Sequence, residues 1–472
     1  MRIPHSRSRT AHRARPEDER PPVRRQILYG LQHILSMYGG VIAVPLIIGG
    51  ATGLPPERIA LLVTAALFVS GAATILQTVG VPFFGSQLPL VQGISFASVA
   101  TMTAIAARGG GLSAVFGSII VASLIGLVLS PFFSQLIRFF PPVVTGSIIT
   151  VIGVSLLPVS FRWAMGGTAT APDYGSVSNI ALAGATFLIV LLVSRLLQGL
   201  LSRLSILLGI VAGTLVAFAL GKTDFSGVGH GPVVALPQVL PFGAPAFSVS
   251  AIVSMTVVIL VTMIETTADI VALGEIVETE VSPRRVGDGL RADMLSSAVA
   301  PLFGSFPCTA FAQNVGLVAL TRVKSRYVVA TGGLILVVLG LLPVLGRVAA
   351  AIPQPVLGGA GIVLFGVVAA SGIRTLAKVD YDNNLNLVIV ASALGFGIIP
   401  IAVPGFWSHF PGWFATIMDS GISSASVVAV VLNVAFNETR ALRKSGPSTV
   451  AAAPSPGTVA RADSPDGTTE TG

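Results

Sequence analysis

Charged residues and cysteine are both scarce in this sequence of 472 residues. Asp, Glu, Lys and Arg make up 10% of the chain, whereas a soluble domain usually carries about 25%. A soluble protein with a mean hydropathy of +0.86 would expose a surface that water does not tolerate, whereas lipid requires such a surface. The single cysteine, Cys308, excludes an internal disulfide framework and a paired-cysteine metal site. We therefore expect a polytopic membrane protein that holds no metal and no cofactor.

The two ends of the chain differ from the rest. The net charge of +8 does not indicate nucleic acid as a partner, because eight arginines lie within the first 25 residues. Residues 1–26, rich in Arg, Pro and His, and residues 439–472, rich in Ser, Thr, Pro, Gly and Ala, are both predicted to be disordered tails. The first apolar segment is too long for a signal peptide, and no A-x-A-like cleavage site closes it, so it is interpreted as a retained span.

The apolar segments predict an all-α membrane protein with fourteen spans. They lie at about 27–50, 58–80, 87–105, 112–130, 136–158, 178–195, 204–221, 247–274, 286–302, 305–320, 328–347, 355–371, 384–402 and 419–437. Loops after even-numbered spans carry the excess of Lys and Arg, which places them and both termini in the cytoplasm.

The third, ninth and tenth spans are short or interrupted. The third and tenth open with similar phrases, "GSQLP" at 85–89 and "GSFP" at 304–307. Interrupted segments at matching places in two halves indicate a transporter built from inverted repeats, with its site between the breaks. Gly, Ser and Pro are common in membrane helices, so chance similarity of the two phrases is the alternative.

Two acids lie inside the eighth predicted span, in "VTMIETTADIVALGEI". Glu265 and Asp269 are four residues apart and therefore share one helix face. An ionised carboxylate at the bilayer centre costs about 2.5–3.5 kcal/mol, so acids there indicate a functional site by default. The pair is relieved if one carboxyl takes up a proton, or if partners and water satisfy both. A structural role, in which either acid caps or joins neighbouring helices, is the alternative.

Acidic acceptors suit a solute rich in N–H donors, and half-helix N-termini would supply donors to its carbonyl oxygens. Phe96 and Phe311 lie at the breaks, where they would sandwich a flat ring, although packing is the commoner role of such residues. Gln313 offers both a donor and an acceptor to a lactam edge. Enzyme motifs such as HExxH and GxSxG are absent from the sequence, so catalysis is not expected.

Five segments resemble the nucleobase–ascorbate transporter family. "QNVGLVALTR" at 313–322 meets every fixed position of the family's signature: Gln, Glu or Pro, then Asn, any residue, Gly, four of any kind, Thr, and a basic residue or Gly. The others resemble its first, third, eighth and twelfth spans: "QHILSMYGGVIAVPL" (32–46), "LPLVQGISFA" (88–97), "ETTADIVALGE" (265–275) and "PQPVLGGAGIVLFGVVAASGIR" (353–374). The resemblance extends from about 27 to 438.

The resemblance implies fourteen spans in two inverted seven-span repeats, with the substrate bound between broken spans 3 and 10. It implies a core domain (27–135, spans 1–4, and 247–350, spans 8–11) and a gate domain (136–246, spans 5–7, and 351–438, spans 12–14). By position, Glu265 matches the acid that binds the base, Gln313 a residue that contacts it, and Phe96 the aromatic that stacks on it. Ala312 and Phe311 match residues that line the tenth-span break, Ala312 through its backbone N–H. Asn314 and His33 match supporting residues.

Two positions bear on the substrate. Family members for uracil carry Glu at the first signature position and His four residues after the eighth-span Glu, whereas this chain carries Gln313 and Asp269, as xanthine and urate members do. The resemblance therefore implies a homodimeric proton symporter of the bacterial inner membrane for xanthine, uric acid or both. For coupling, Asp269 either sets the proton affinity of the pair or hydrogen-bonds a neighbouring helix. A different nucleobase, an uncoupled uniporter and a sulfate-transporter-like anion exchanger are the alternatives, and the acids argue against the last.

Overall fold

The computed structural model describes residues 15–133, 139–167, 169–382 and 384–438 and is almost wholly helical. The helices are α1 (Val23–Ala51), α2 (Pro56–Val79), α3 (Val99–Ile105), α4 (Gly111–Leu129), α5 (Pro142–Ala164), α6 (Val177–Leu196), α7 (Ser205–Ala219), α8 (Val249–Val277), α9 (Pro283–Val299), α10 (Ala312–Thr321), α11 (Arg326–Gly340), α12 (Pro343–Ala350), α13 (Gln354–Leu376), α14 (Asn384–Ala402), α15 (Gly412–Met418) and α16 (Gly421–Asn433). A helical turn at Leu200–Arg203 and several 3-10 and π turns accompany them, together with two strands, β1 (Gln92–Ile94) and β2 (Cys308–Ala310).

Each predicted span overlaps a helix, although the helix of the fifth span, predicted at 136–158, is Pro142–Ala164, and only the second part of spans 3 and 10 is helical. Within the described ranges, eight helices are long and apolar enough to cross a bilayer, and counting two bent pairs as one span each brings the number to ten. The all-α polytopic class is confirmed, while the count of fourteen stays a prediction. The breaks in spans 3 and 10 are confirmed as well, since β1 precedes the short α3 and β2 precedes the short α10.

Two further spans are bent in ways the sequence analysis did not predict. Helices α11 and α12 meet at 79°, and α15 meets α16 at 90°. Pro343 begins α12, where its missing N–H and fixed φ suit a first turn but not a helix interior. Ser420 is the N-cap of α16, and its hydroxyl accepts from the N–H of Ser423 at 3.2 Å. Each bend is thus placed by a residue that starts a new helix.

Small residues allow the helices to pack closely. A Cβ added at Gly153 of α5 would lie 2.2 Å from the backbone nitrogen of Ala369 on α13, and one at Gly71 of α2 would lie 2.6 Å from a backbone atom of α11. In lipid, such backbone-to-backbone contact replaces the hydrophobic drive that water supplies to soluble helices. The closest packing occurs within two groups, α1, α2, α4 and α8–α12 on one side and α5–α7, α13, α14 and α16 on the other. The assignment of these groups to a moving core and gate stays a proposal.

The N-terminal segment corrects one expectation. Residues 15–26 were predicted to belong to a disordered tail, and this is wrong for them, whereas 1–14 and 439–472 lie outside the described residues. Glu17 is fully buried and receives a 2.7 Å hydrogen bond from Arg285 near the start of α9. Asp18 pairs with Arg326 at 2.7 Å, at the start of α11. The two acids hold the segment in place through ion pairs with half-buried arginines of α9 and α11.

Candidate functional site

Helix α8 carries both acids of the predicted site. Glu265 and Asp269 are half-buried, and among the described residues neither carboxylate forms an ion pair. Two threonines on the same helix fasten it to the broken spans. The Thr262 hydroxyl lies 3.4 Å from the hydroxyl of Ser95, and Thr266 accepts from the backbone N–H of Ala310 at 3.3 Å. The acids are therefore held beside the two breaks without a neutralising cation.

The two breaks meet in a short antiparallel strand pair. Gln92 lies opposite Ala310, and Ile94 opposite Cys308. Two more backbone bonds extend the pair, from the N–H of Ser95 to Pro307 at 2.8 Å and from the N–H of Phe311 to Val91 at 3.1 Å. This pairing satisfies backbone groups that leave the helical pattern inside the membrane region, as a low-dielectric setting requires.

A glycine with positive φ precedes each strand. Gly85, in the phrase "GSQLP", has φ +100°, and Gly304, in "GSFP", has φ +77°. Only glycine adopts these conformations without a Cβ penalty. Each of the two similar phrases therefore begins with a glycine whose backbone conformation other residues resist, which supports the proposal that they correspond as repeats.

Helix α10 directs its first turn toward the break. Ala312 and Gln313 open the helix and are both exposed, although they lie in the middle of the chain's apolar part. The first N–H groups of a helix have no partner within it and carry a partial positive charge. The amide of Gln313 stands beside these donors, so the start of α10 can donate to carbonyl oxygens and also pair with an adjacent N–H.

The two predicted aromatics have different environments. Phe96 is half-buried, whereas Phe311 is only 3% exposed. The ring of Phe311 lies against Gly40 of α1 and Gly93 of β1, where added Cβ atoms would come within 2.9 and 2.2 Å of it. The structure thus leaves Phe96 accessible at the break and places the Phe311 ring behind it. From the other helix group, Phe365 of α13 meets Phe96 edge-on, with ring centroids 5.9 Å apart.

His33 and Asn314 form a buried pair. The Asn314 side-chain nitrogen lies 3.1 Å from His33 Nδ1 and donates to the His33 backbone carbonyl at 3.0 Å. Both residues are at most 2% exposed. The pair fixes α10 to α1 immediately behind Gln313. This geometry agrees with a supporting role for both residues and gives His33 no open path to a ligand.

Asp293 of α9 is a buried acid that the sequence analysis did not single out. It is 0% exposed and accepts a hydrogen bond from Thr266 at 2.5 Å. Thr266 follows Glu265 directly, so Asp293 lies in the layer behind the acids of α8. An acid inside the predicted span 286–302 could have indicated a functional role for Asp293. Other charged residues in the same segment make a single acid there less informative.

The family follows from comparison with known sequences. A profile described as "Permease family" matches residues 24–406. The chain belongs to the nucleobase–ascorbate transporter family. It is 41% identical over 408 residues to the xanthine permease of Bacillus subtilis, covering 86% of this chain and 93% of that protein. It is 42% identical over 414 residues to the uric acid transporter UacT of Escherichia coli, covering 87% and 86%. The resemblance drawn from the five segments is confirmed.

The fold is shared more widely than the family. The transmembrane domain of the cyanobacterial bicarbonate transporter BicA superposes with a TM-score of 0.55 at 17% identity, covering 87% of this chain and 97% of that one. This chain therefore shares the inverted-repeat fold of that transporter domain, while the count of fourteen spans stays a prediction. At that identity the likeness concerns fold alone.

Proposed function

We propose that this protein is a secondary transporter, and not an enzyme, that imports xanthine, uric acid or both together with protons. One observation carries the proposal. Two half-buried acids without a cation stand beside a helix start that exposes Gln313 in the apolar part of the chain. The relatives named as xanthine and uric acid transporters supply the substrate class.

Substrate recognition follows from the donors and acceptors at the break. Glu265 accepts the N–H groups of the purine, and Gln313 pairs with a lactam edge, since its amide both donates and accepts. Phe96 stacks on the ring, and the N–H of Ala312 donates to a carbonyl oxygen. Phe311, whose ring lies behind the break, shapes the backbone there instead of contacting the base. His33 and Asn314 hold the start of α10 in place.

Proton coupling is assigned to Glu265 and Asp269. They lie one turn apart on α8, and a single proton held between them relieves their repulsion. Glu265 receives the base, while Asp269 sets the affinity of the pair for the proton. The proton therefore enters with the substrate and is released when the site opens to the other side.

Alternating access requires the core, with α8 and the breaks, to move against the gate. Two contacts join α3 and the α3–α4 connection, which belong to the proposed core domain, to the start of α16 in the proposed gate domain, on the side proposed to face outward. Arg108, between α3 and α4, pairs with Asp419 ahead of α16. The hydroxyls of Thr101 on α3 and Ser420 are 2.6 Å apart and buried. We assign these contacts to a closed outer gate, with both termini in the cytoplasm, the spans in the bacterial inner membrane and a homodimer as the assembly.

The test is uptake of labelled xanthine into proteoliposomes with an imposed pH gradient. We expect uptake that a protonophore abolishes and that excess urate or xanthine competes away, with uracil ineffective. Uptake indifferent to the protonophore would replace symport by a uniporter. Exchange driven by bicarbonate or sulfate, with no purine uptake, would overturn the purine assignment in favour of an anion exchanger.

A further inference from the structure

A polar layer lies between α2 and α9, behind the acids of α8. On α9, Gly289 and Asp293 are four residues apart and share a face. A Cβ added at Gly289 would lie 3.2 Å from Nε2 of Gln77 on α2 and 3.1 Å from Cβ of Ser86. Gln92 of β1 faces the Asp293 carboxyl. We call Gln77, Ser86, Gln92, Gly289 and Asp293 the polar seam.

The seam concentrates buried polar atoms that make no well-formed hydrogen bond to another protein group, although the Gln92 side chain lies near the Asp293 carboxyl. Among the described residues, fifteen buried side-chain N and O atoms have no hydrogen-bond partner, and six belong to the seam. They are both amide atoms of Gln77 and of Gln92, the hydroxyl of Ser86 and Oδ1 of Asp293. All four side chains are at most 1% exposed. Buried polar groups are rarely left unpaired, and a cluster of them is the usual setting for ordered water.

The seam extends from the acids of α8, to which proton coupling is assigned, to a cavity beside Ser86. At one end, Asp293 accepts from Thr266, the neighbour of Glu265 on α8. At the other end, Ser86 borders a cavity of about 1290 Å³, whose lining includes Arg285 and Asp288. The loops that form this cavity, near residues 80–87 and 278–285, follow even-numbered predicted spans. By the proposed topology the cavity opens to the cytoplasm.

We propose that the seam binds a row of ordered water molecules, and that this row carries the coupled proton from the acids to the cytoplasmic cavity. A carboxyl of the α8 acids, Glu265 or Asp269, gives its proton to the first water, and successive waters pass a proton on to the cavity. Gln77 does not ionise; its amide orients water by donating and accepting at once. This inference rests on the proposed proton coupling. In this proposal the proton leaves through the seam, whereas the purine leaves by a different path.

The charged and titratable groups around the seam are few. Asp269 of α8 and the thiol of Cys308 on β2 are close enough to interact electrostatically with Asp293. At the cavity, Arg285 pairs with Glu17, and Asp288 pairs with Arg291. Lys and Arg therefore occur at the cavity end, and among the described residues none forms an ion pair with Asp293. A proton therefore meets acidic acceptors at the α8 end of the seam and water at the end that opens into the cytoplasmic cavity.

The first measurement tests the water alone. X-ray hydroxyl-radical footprinting in labelled water modifies buried side chains that lie next to bound water. Ile270 flanks the seam, since its Cδ1 lies 2.6 Å from the Cβ position at Gly289. Ile259, on the same helix and also 0% exposed, lies elsewhere and is the matched control. We expect labelling of Ile270 well above that of Ile259, and its loss in Gln77→Leu. Equal labelling of the two isoleucines in the wild type would overturn the water row.

The second measurement tests the proton route in proteoliposomes. Gln77→Leu keeps a side chain of moderate size but removes both polar amide atoms. The control is Thr64→Val on α2, since the Thr64 hydroxyl donates to the carbonyl of Ala60 at 3.0 Å and lies outside the seam. We expect Gln77→Leu to bind xanthine and exchange it at near wild-type rates, while net pH-driven uptake falls by about 100-fold, the lower end of what positioned proton transfer contributes. Wild-type net uptake, or an equal loss of exchange, would overturn the route. Protonophore-insensitive uptake by the wild type would instead refute the proposed symport, with the water row still decided by the footprint.

Discussion

At the scale of single residues, two carboxylates one turn apart on a membrane helix repel each other unless a proton, water or a ligand lies between them. Glu265 and Asp269 are in this position, and among the described residues no cation relieves them. In the proposed function, this repulsion favours the binding of N–H donors and a proton together. A transporter uses such a site because neither ligand alone satisfies it fully.

Glu265→Gln is the sharpest residue-scale test. The amide keeps the shape but replaces a charged acceptor, and loss of a charged hydrogen bond of about 2–3 kcal/mol lowers uptake roughly 100-fold. The variant should still insert and unfold near the wild-type temperature. Glu275→Gln, an exposed acid on the same helix, is the control and should transport normally. Wild-type uptake by purified Glu265→Gln would remove Glu265 from the site.

Asp269→Asn distinguishes coupling from a structural role. If Asp269 sets proton affinity, the variant retains xanthine binding and shifts the pH dependence of uptake, because one of two interacting acids no longer titrates. Uptake measured from pH 5 to pH 9 gives the profile. A profile identical to that of the wild type, with only less protein in the membrane, would assign Asp269 to helix packing.

Gln313→Glu tests the lactam contact through its pH dependence. A protonated carboxyl donates and accepts, as the amide does, whereas an ionised carboxylate only accepts. Xanthine affinity should therefore decline as the pH rises, by a total of about 1–3 kcal/mol, the cost of an unsatisfied polar contact. Equilibrium binding across the same pH range measures this decline. Constant affinity would show that Gln313 does not touch the base.

At the scale of elements, the sequence predicts most of what the structure shows. Apolar segments locate the spans because lipid forces every backbone group to be satisfied within a helix. The breaks at spans 3 and 10 are readable because Gly85 and Gly304 mark turns that other residues resist. The bends in spans 11 and 14 cannot be predicted in this way, because a straight helix and a bent helix have the same hydropathy. The burial of Asp293 and Phe311 depends on contacts across helices, which spacing along one segment does not reveal.

The N-terminal segment is an element whose order comes from ion pairs. Glu17→Gln removes the negative charge paired with the half-buried Arg285, which keeps backbone acceptors on Ser86 and Gln87, so the cost is that of one charged hydrogen bond, about 1.5–3 kcal/mol. The expected result is a lower unfolding temperature in detergent. Glu19→Gln, an exposed neighbour in the same segment, should leave that temperature unchanged. Equal stability of both variants would mean that the Glu17–Arg285 pair does not stabilise the fold.

At the scale of the whole molecule, transport requires the outer contacts between the helix groups to open and close. The hydroxyls of Thr101 and Ser420 are 2.6 Å apart, so a cysteine pair at these positions can form a disulfide without moving the backbone far. In a Cys308→Ala background, Thr101→Cys with Ser420→Cys should lose uptake on oxidation and regain it with reductant. The single cysteine variants should ignore both treatments. Binding of xanthine from the cytoplasmic side should survive the cross-link, because only the outer side is held closed. If the cross-linked protein transported at the rate of its reduced form, α3 and α16 would move as one body, and the boundary between core and gate would have to lie elsewhere.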